Sequence, residues 1–243
     1  MVIVVEFHVR FYPLSDTAVI LQLSGDRDCN QSHKIIQTIV THLDLSPPVW
    51  MNEYIPSFQT VAIFYNPLKV PFTGSSFQFP YDYVCNELHQ MIAKLNIHQS
   101  IGQQIIEIPI CYDGEFGPDL SFVADYNGLS PDEVIRIHTS GDYLVYMIGF
   151  SPGFPYLGGM SDKIAAPRRE TPRLNIPARS VGIAGNQTGI YPIEPPGSWQ
   201  IIGRTPVNLF RPNHKIPSLL RAGDRIKFKA ISLKEYLELE EII

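Results

Sequence analysis

The sequence predicts an α+β protein in two domains: an open α/β sandwich over residues 1–98 and a β-rich domain over 99–243. Three observations carry this. The first half alternates strand, strand, helix, strand, strand, helix. The second half is punctuated too densely for helix, since residues 149–217 hold 9 of the 17 glycines and 11 of the 21 prolines. Proline removes a backbone donor and glycine costs backbone entropy, so no long helix survives there. Phe150, Phe154, Tyr156, Leu157, Ile176, Ile183, Ile190, Tyr191, Trp199 and Ile201 are interleaved with that punctuation. So much apolar surface excludes disorder and leaves short strands and shaped loops packed into a rigid β structure.

In the first domain, 6–11 and 17–23 alternate in polarity and are rich in strand formers. Asn30 is a candidate cap for a helix whose apolar positions are Ile35, Ile36, Ile39, Val40 and Leu43, a 3.6-residue pattern. Pro47-Pro48 stops it. Segments 49–54 and 60–65 read as a strand pair, and Val84, Leu88, Met91, Ile92 and Leu95 mark a second amphipathic helix. His33, His42, His89 and His98 fall on or beside polar helix faces, and solvation is expected for them. The domain boundary is expected within 96–103.

In the second domain, 105–111 begins a strand. Gly117-Pro118-Asp119 opens a short helix with Asp119 as candidate N-cap and Gly128 as a terminator with positive φ. Ser130-Pro131-Asp132-Glu133 is a strong helix start, with a capping box and a proline in the first turn. That helix is expected to run to about His138 and to end before Gly141. A strand over 142–148 leads into the glycine- and proline-dense stretch. A late strand over 225–230 follows, and Ser232 with Glu235 caps a last charged helix.

Composition narrows the function. Net charge is −5, which argues against a general nucleic-acid binder. The charge is uneven: between Ala165 and Lys215 seven basic residues face two acids, a local excess of +5, so the rest carries −10. Arginine's planar fork suits a carboxylate or phosphate, although surface arginines are common. Cys29, Cys85 and Cys111 lack zinc-ligand spacing and read as small buried residues of a reducing compartment. No apolar run approaches a membrane span and the N-terminus lacks signal-peptide character, so a cytoplasmic location away from membranes is expected.

Standard catalytic motifs are missing: no GxSxG, no HExxH and no phosphate loop. No metal site is evident. Gly182, Gly185 and Gly189 fit turns or close backbone approach rather than a dinucleotide loop. Yet the loops carry polar groups able to hold a small ligand. Arg168, Arg173, Arg179 and Arg204 could neutralise an anion. Asn186, Gln187 and Thr188 could supply uncharged donors and acceptors, and Phe150, Phe154 and Tyr156 an apolar wall. His138 joins this candidate pocket, although a helix C-terminus would also stabilise its charge. The plainer reading is that the arginines cap carbonyls between strands and the aromatics are core.

Specific runs carry a family resemblance: CYDGEFGPDL (111–120), GFSPGFPYLGGM (149–160), PRRETPR (167–173), IPARSVGIAGNQTGIYP (176–192) and GSWQIIGRTP (197–206). In these the chain resembles the family that includes the B subunit of 5-oxoprolinase, KipI and allophanate hydrolase subunit 1. Asp113 and Arg179 depart from its pattern, each standing where glycine is usual. The resemblance implies a ferredoxin-like N-terminal domain and a cyclophilin-like β-barrel. It also implies work with a companion carboxyltransferase-like subunit and a third subunit in an ATP-dependent 5-oxoprolinase, which opens 5-oxoproline to glutamate. ATP would then be met through the complex and the chain would be inactive alone. The alternative that it implies is KipI-type inhibition of a sporulation histidine kinase through its dimerisation domain.

Overall fold

The computed structural model describes residues 8–24, 29–71, 79–95 and 105–242, with Cys29 and Asn30 described in backbone only. They fall in two compact units, within Met1–Gly102 and Gln103–Ile243. The expected boundary, the Asn30 cap, His98 and the start of the first expected strand lie outside the described residues or side chains.

The first unit runs β1 (His8–Ser15), β2 (Ala18–Ser24), α1 (Cys29–Leu45), β3 (Met51–Pro56), β4 (Thr60–Tyr65) and α2 (Pro80–Ala93). Its sheet has the order β1-β2-β4-β3, antiparallel throughout. This is the ferredoxin-like sandwich with the last strand of its βαββαβ sequence moved to the front. Val19, Leu21, Val61 and Ile63 alternate inward and meet Ile35, Ile36, Ile39 and Leu43 of α1 and Val84, Leu88 and Ile92 of α2. The helical periodicity therefore marks the core. His33 corrects one expectation: it is fully buried, and burial pushes its pKa down to about 4.

The second unit is a closed seven-stranded barrel with helices beside it. Its strands are β5 (Ile105–Cys111), β6 (Tyr143–Ile148), β7 (Pro155–Gly158), β8 (Ser180–Ala184), β9 (Gln187–Ile190), β10 (Gln200–Arg204) and β11 (Arg225–Ile231). Around the barrel the order is β10-β5-β11-β6-β7-β9-β8. Only the β5–β11 pair is parallel, and β8 closes on β10. Ile108, Ile110, Val145, Leu157, Val181, Ile183, Ile190, Ile202 and Ile226 belong to the main core.

Helices α3 (Leu120–Asn127) and α4 (Pro131–Ser140) lie between β5 and β6, and α5 (Leu233–Ile242) ends the described chain. The Ser130–Glu133 capping box forms with both of its bonds, and Gly128 ends α3 at φ +66. Each terminus satisfies backbone groups that a helix end leaves orphaned. Asp119 differs from expectation: its side chain makes no cap hydrogen bond to α3.

Candidate functional site

A recess of about 170 Å³ opens beside the β8–β10 pair. It is lined by Glu115, Phe116, Pro118, Arg173, Pro177, Ser180, Ile201 and Arg204. Four segments build it. A 3₁₀ turn, Gly114–Phe116, supplies Phe116, and the chain then presses against β10 at Gly117. A Cβ on Gly117 would lie 2.5 Å from the Ile202 carbonyl oxygen, so only glycine lets the backbones approach this closely. Asp119 completes the junction: its N–H donates to the Ile201 carbonyl (2.9 Å), and its Oδ2 accepts the Ile201 N–H (2.6 Å).

The two arginines reach the recess differently. Arg204, at the end of β10, donates Nε to the Ala178 carbonyl (3.0 Å) and stands over the Phe116 ring, 5.7 Å from its centroid. Arg173 is fixed through its backbone, paired with Gly197, and through Nη2, which donates to Asp119 Oδ1 at 2.7 Å. Phe116 is backed by Tyr236 of α5, with ring centroids 4.6 Å apart. Two guanidinium groups beside apolar walls could hold an anion, since a partly enclosed hollow screens charge less than open water does. The Glu115 carboxylate lines the same recess, and the Ser180 hydroxyl already donates to the Pro177 carbonyl (2.7 Å).

The other candidates lie elsewhere. Phe150, Phe154, Tyr156 and Arg168 gather around Trp199. Phe154 meets Tyr156, Tyr191 and Trp199 edge-on at 5.0, 5.2 and 5.6 Å, and the Arg168 guanidinium stands 5.7 Å from the Trp199 ring centroid. The rings lie on the outer face of the β8–β9 pair, where Gly182 opposes Gly189 and presents bare backbone. Phe154 and Trp199 are core, Tyr156 is half-buried, and Phe150 is exposed at φ +65. This cluster adjoins the recess at Ile201, a member of both, and at Tyr191, whose N–H donates to the Ser180 carbonyl (2.8 Å).

His138 and Thr188 are corrections: both are fully buried in the barrel unit and neither lines the recess. Thr188 Oγ1 donates to the Gly182 carbonyl (3.0 Å), so its oxygen accepts the His138 Nε2–H (3.1 Å), and His138 Nδ1 accepts the Tyr112 hydroxyl hydrogen (2.7 Å). The ring stacks on Phe228 at 4.7 Å and 7°. Burial holds it neutral, with the pKa pushed down to about 3.

Asn186 and Gln187 are also displaced. They belong to the β8–β9 turn, where Gly185 (φ +58) takes the first central position. Ser180, at the recess, starts the same strand, about 13 Å away along four extended residues. Arg179 (φ +71) turns away as well: Nη1 donates to the Pro206 carbonyl (3.2 Å), and Nη2 pairs with Glu240 of α5. Asp113, the other departure from the family pattern, is exposed at the entrance of the 3₁₀ turn and does not line the recess.

Of the eleven expected residues, the recess thus brings together Arg173 and Arg204. It adds Glu115, Phe116, Ser180 and Ile201, and behind them Asp119 and Arg169, none of which sequence reasoning placed in a site. Asp119 looks like a cap because it precedes a helix. Its partners Arg169 and Arg173 lie 50 and 54 residues on, beyond any spacing rule.

A ferredoxin-like sandwich joined to a closed barrel with an arginine-lined recess defines a carboxyltransferase-like two-unit protein. The family model "Carboxyltransferase domain, subdomain C and D" matches residues 9–220, and the chain belongs to that family. It is 47% identical over 224 residues to the B subunit of 5-oxoprolinase from Bacillus subtilis, covering 92% of this chain and 93% of that protein. A conserved uncharacterized protein of Pyrococcus horikoshii has a crystal structure 42% identical to this chain with a TM-score of 0.55, covering 93% of this chain and all of that one. The crystal structure of TTHA0988 matches 93% of this chain with a TM-score of 0.74 and 29% identity; this chain spans 40% of that one.

Proposed function

We propose that the chain is the B subunit of a cytoplasmic 5-oxoprolinase complex that opens 5-oxoproline to glutamate at the expense of ATP. The likeness to the corresponding Bacillus subtilis protein over nearly the full length of both chains supports this reading. The observation that carries it at the level of chemistry is the pairing of Arg173 with Arg204 in one recess.

At about 170 Å³ the recess is smaller than the roughly 300 Å³ at which pockets for drug-sized ligands begin. It suits an organic acid of a few heavy atoms or a phosphoryl group. ATP is assigned to the companion subunits, a carboxyltransferase-like one and a third, as the family resemblance implies. Within this chain, Arg173 and Arg204 orient the anion. Phe116, Ile201 and Pro118 exclude water, which strengthens both charge contacts.

The test is glutamate release from 5-oxoproline and ATP. The purified chain alone releases none, and the three co-purified subunits do. In the complex, Arg204→Ala lowers release by about 100-fold, the scale of losing one preorganised charge contact. Asn186→Ala, at the far turn, leaves release unchanged. Both variants melt within a few degrees of the parent. Turnover by the single chain, or full activity of the Arg204 variant, contradicts the proposal.

A further inference from the structure

Behind the recess wall two guanidinium groups converge on one carboxylate. Arg169 Nη1 and Arg173 Nη2 donate to Asp119 Oδ1 at 3.0 and 2.7 Å, while Oδ2 is taken by the Ile201 N–H. Asp119 is 5% exposed, so this arrangement is built into the protein and is not a surface contact. The set is unbalanced. Nη1 of Arg173 and Nε of Arg169 are buried and have no hydrogen-bond partner among the described residues. A buried cationic donor without an acceptor costs free energy, so Asp119 is the one acceptor among the described residues that holds this pair in place. Arg173 also lines the recess, so the pairing behind the wall fixes one of the charges that the recess presents.

The charges suggest which ligand. Arg169, Arg173 and Arg204 against Asp119 and Glu115 leave an excess of one positive charge. Arg179 is neutralised by Glu240, and Arg168 is held over Trp199, outside the lining. One excess charge is balanced by a monoanion, whereas a dianion would leave a net negative charge in a hollow with apolar walls.

We propose that the recess binds the carboxylate of a small organic acid, and that Asp119 is the positioning residue that sets it for a monoanion rather than a phosphoryl dianion. This rests on the 5-oxoprolinase reading only for the identity of the acid, since 5-oxoproline carries a single carboxylate and no other charge.

The experiment titrates the full chain with two probes, 5-oxoproline and inorganic phosphate, at about pH 8, where phosphate is mainly the dianion. The parent binds 5-oxoproline at least about tenfold more tightly than phosphate. Asp119→Asn adds one positive charge. Its attraction acts twice as strongly on a dianion, while any lost orientation of Arg173 weakens both probes alike. The preference therefore moves toward phosphate by about tenfold or more. Arg169→Gln removes a positive charge, moves the preference the other way, and decides the matter if the Asp119 variant does not fold. Parent protein that prefers phosphate or binds neither probe overturns the proposal, as does a preference unmoved in the folded variants. Glutamate release by the complex is read separately. Its failure alongside an intact carboxylate preference removes the 5-oxoprolinase reading and leaves this site standing.

Discussion

Protonating His138 would put a second N–H against the Tyr112 hydroxyl that now donates to it, and a charge into a fully buried core. The neutral ring is what the fold selects, with a pKa of about 3 against an ordinary 6.5. A depressed histidine contributes its full stability above the unfolded value and loses it as pH falls. Between about pH 7 and pH 5 the barrel unit should lose about 2 kcal/mol from this residue. His33, pushed down to about 4, acts with the same sign in the first unit. Urea unfolding at the two pH values measures the loss, and His138→Gln should flatten the slope while lowering stability throughout. A slope unchanged in the variant would mean that His138 titrates normally. The sequence shows this histidine only as a residue near a helix C-terminus. What fixes its state is Thr188, 50 residues on, together with Phe228 and Tyr112. Trp199 was more legible, because a tryptophan amid strand residues is core by default. It is 4% exposed, and Trp199→Ala should cost about 3–5 kcal/mol in chemical denaturation. Unchanged stability would assign it to an interface.

The β8–β9 hairpin shows how much one element states about itself. Gly182, Gly185 and Gly189 were readable together as turn or close-approach positions, but not which was which; Gly185 takes the turn, and Gly182 and Gly189 the close approach. Gly189 faces Phe154 and Trp199, and a Cβ there would lie 2.8 Å from Phe154 Cζ and 3.0 Å from the Pro155 carbonyl oxygen. Gly189→Ala should therefore destabilise by about 1–3 kcal/mol, the cost of overpacking, read as a lowered denaturation midpoint. A neutral result would mean that the aromatic cluster shifts freely. The α4 start was equally legible, since a capping box is local chemistry spelled within four residues. The Arg179 conformation was not. Its positive φ strains a side-chain-bearing residue, and its pairing with Glu240 joins positions 61 residues apart.

Across the whole molecule, the elements were readable because periodicity, caps and breakers act over a few residues. The helices and strands expected in the first half reappear in order, and they suffice to make a sandwich. Closure of the second half into a barrel came from the family resemblance, because no local signal encodes that β8 returns to β10 or that β5 runs parallel to β11. The site was half-legible for the same reason. Arginines in shaped loops announced an anion, but which of them share a hollow depends on contacts between distant loops. Of the four proposed arginines, Arg173 and Arg204 line one recess, while Arg168 joins the aromatic cluster and Arg179 ties α5 to the barrel. The Asn186–Gln187 turn lies at the other end of its strand. The recess as an anion seat is the claim on which the functional account stands. A crystal structure of the chain soaked in 5-oxoproline tests it most directly. The account predicts the carboxylate between the guanidinium groups of Arg173 and Arg204, against Phe116. A ligand seated elsewhere, or an empty recess at saturating ligand, would contradict it.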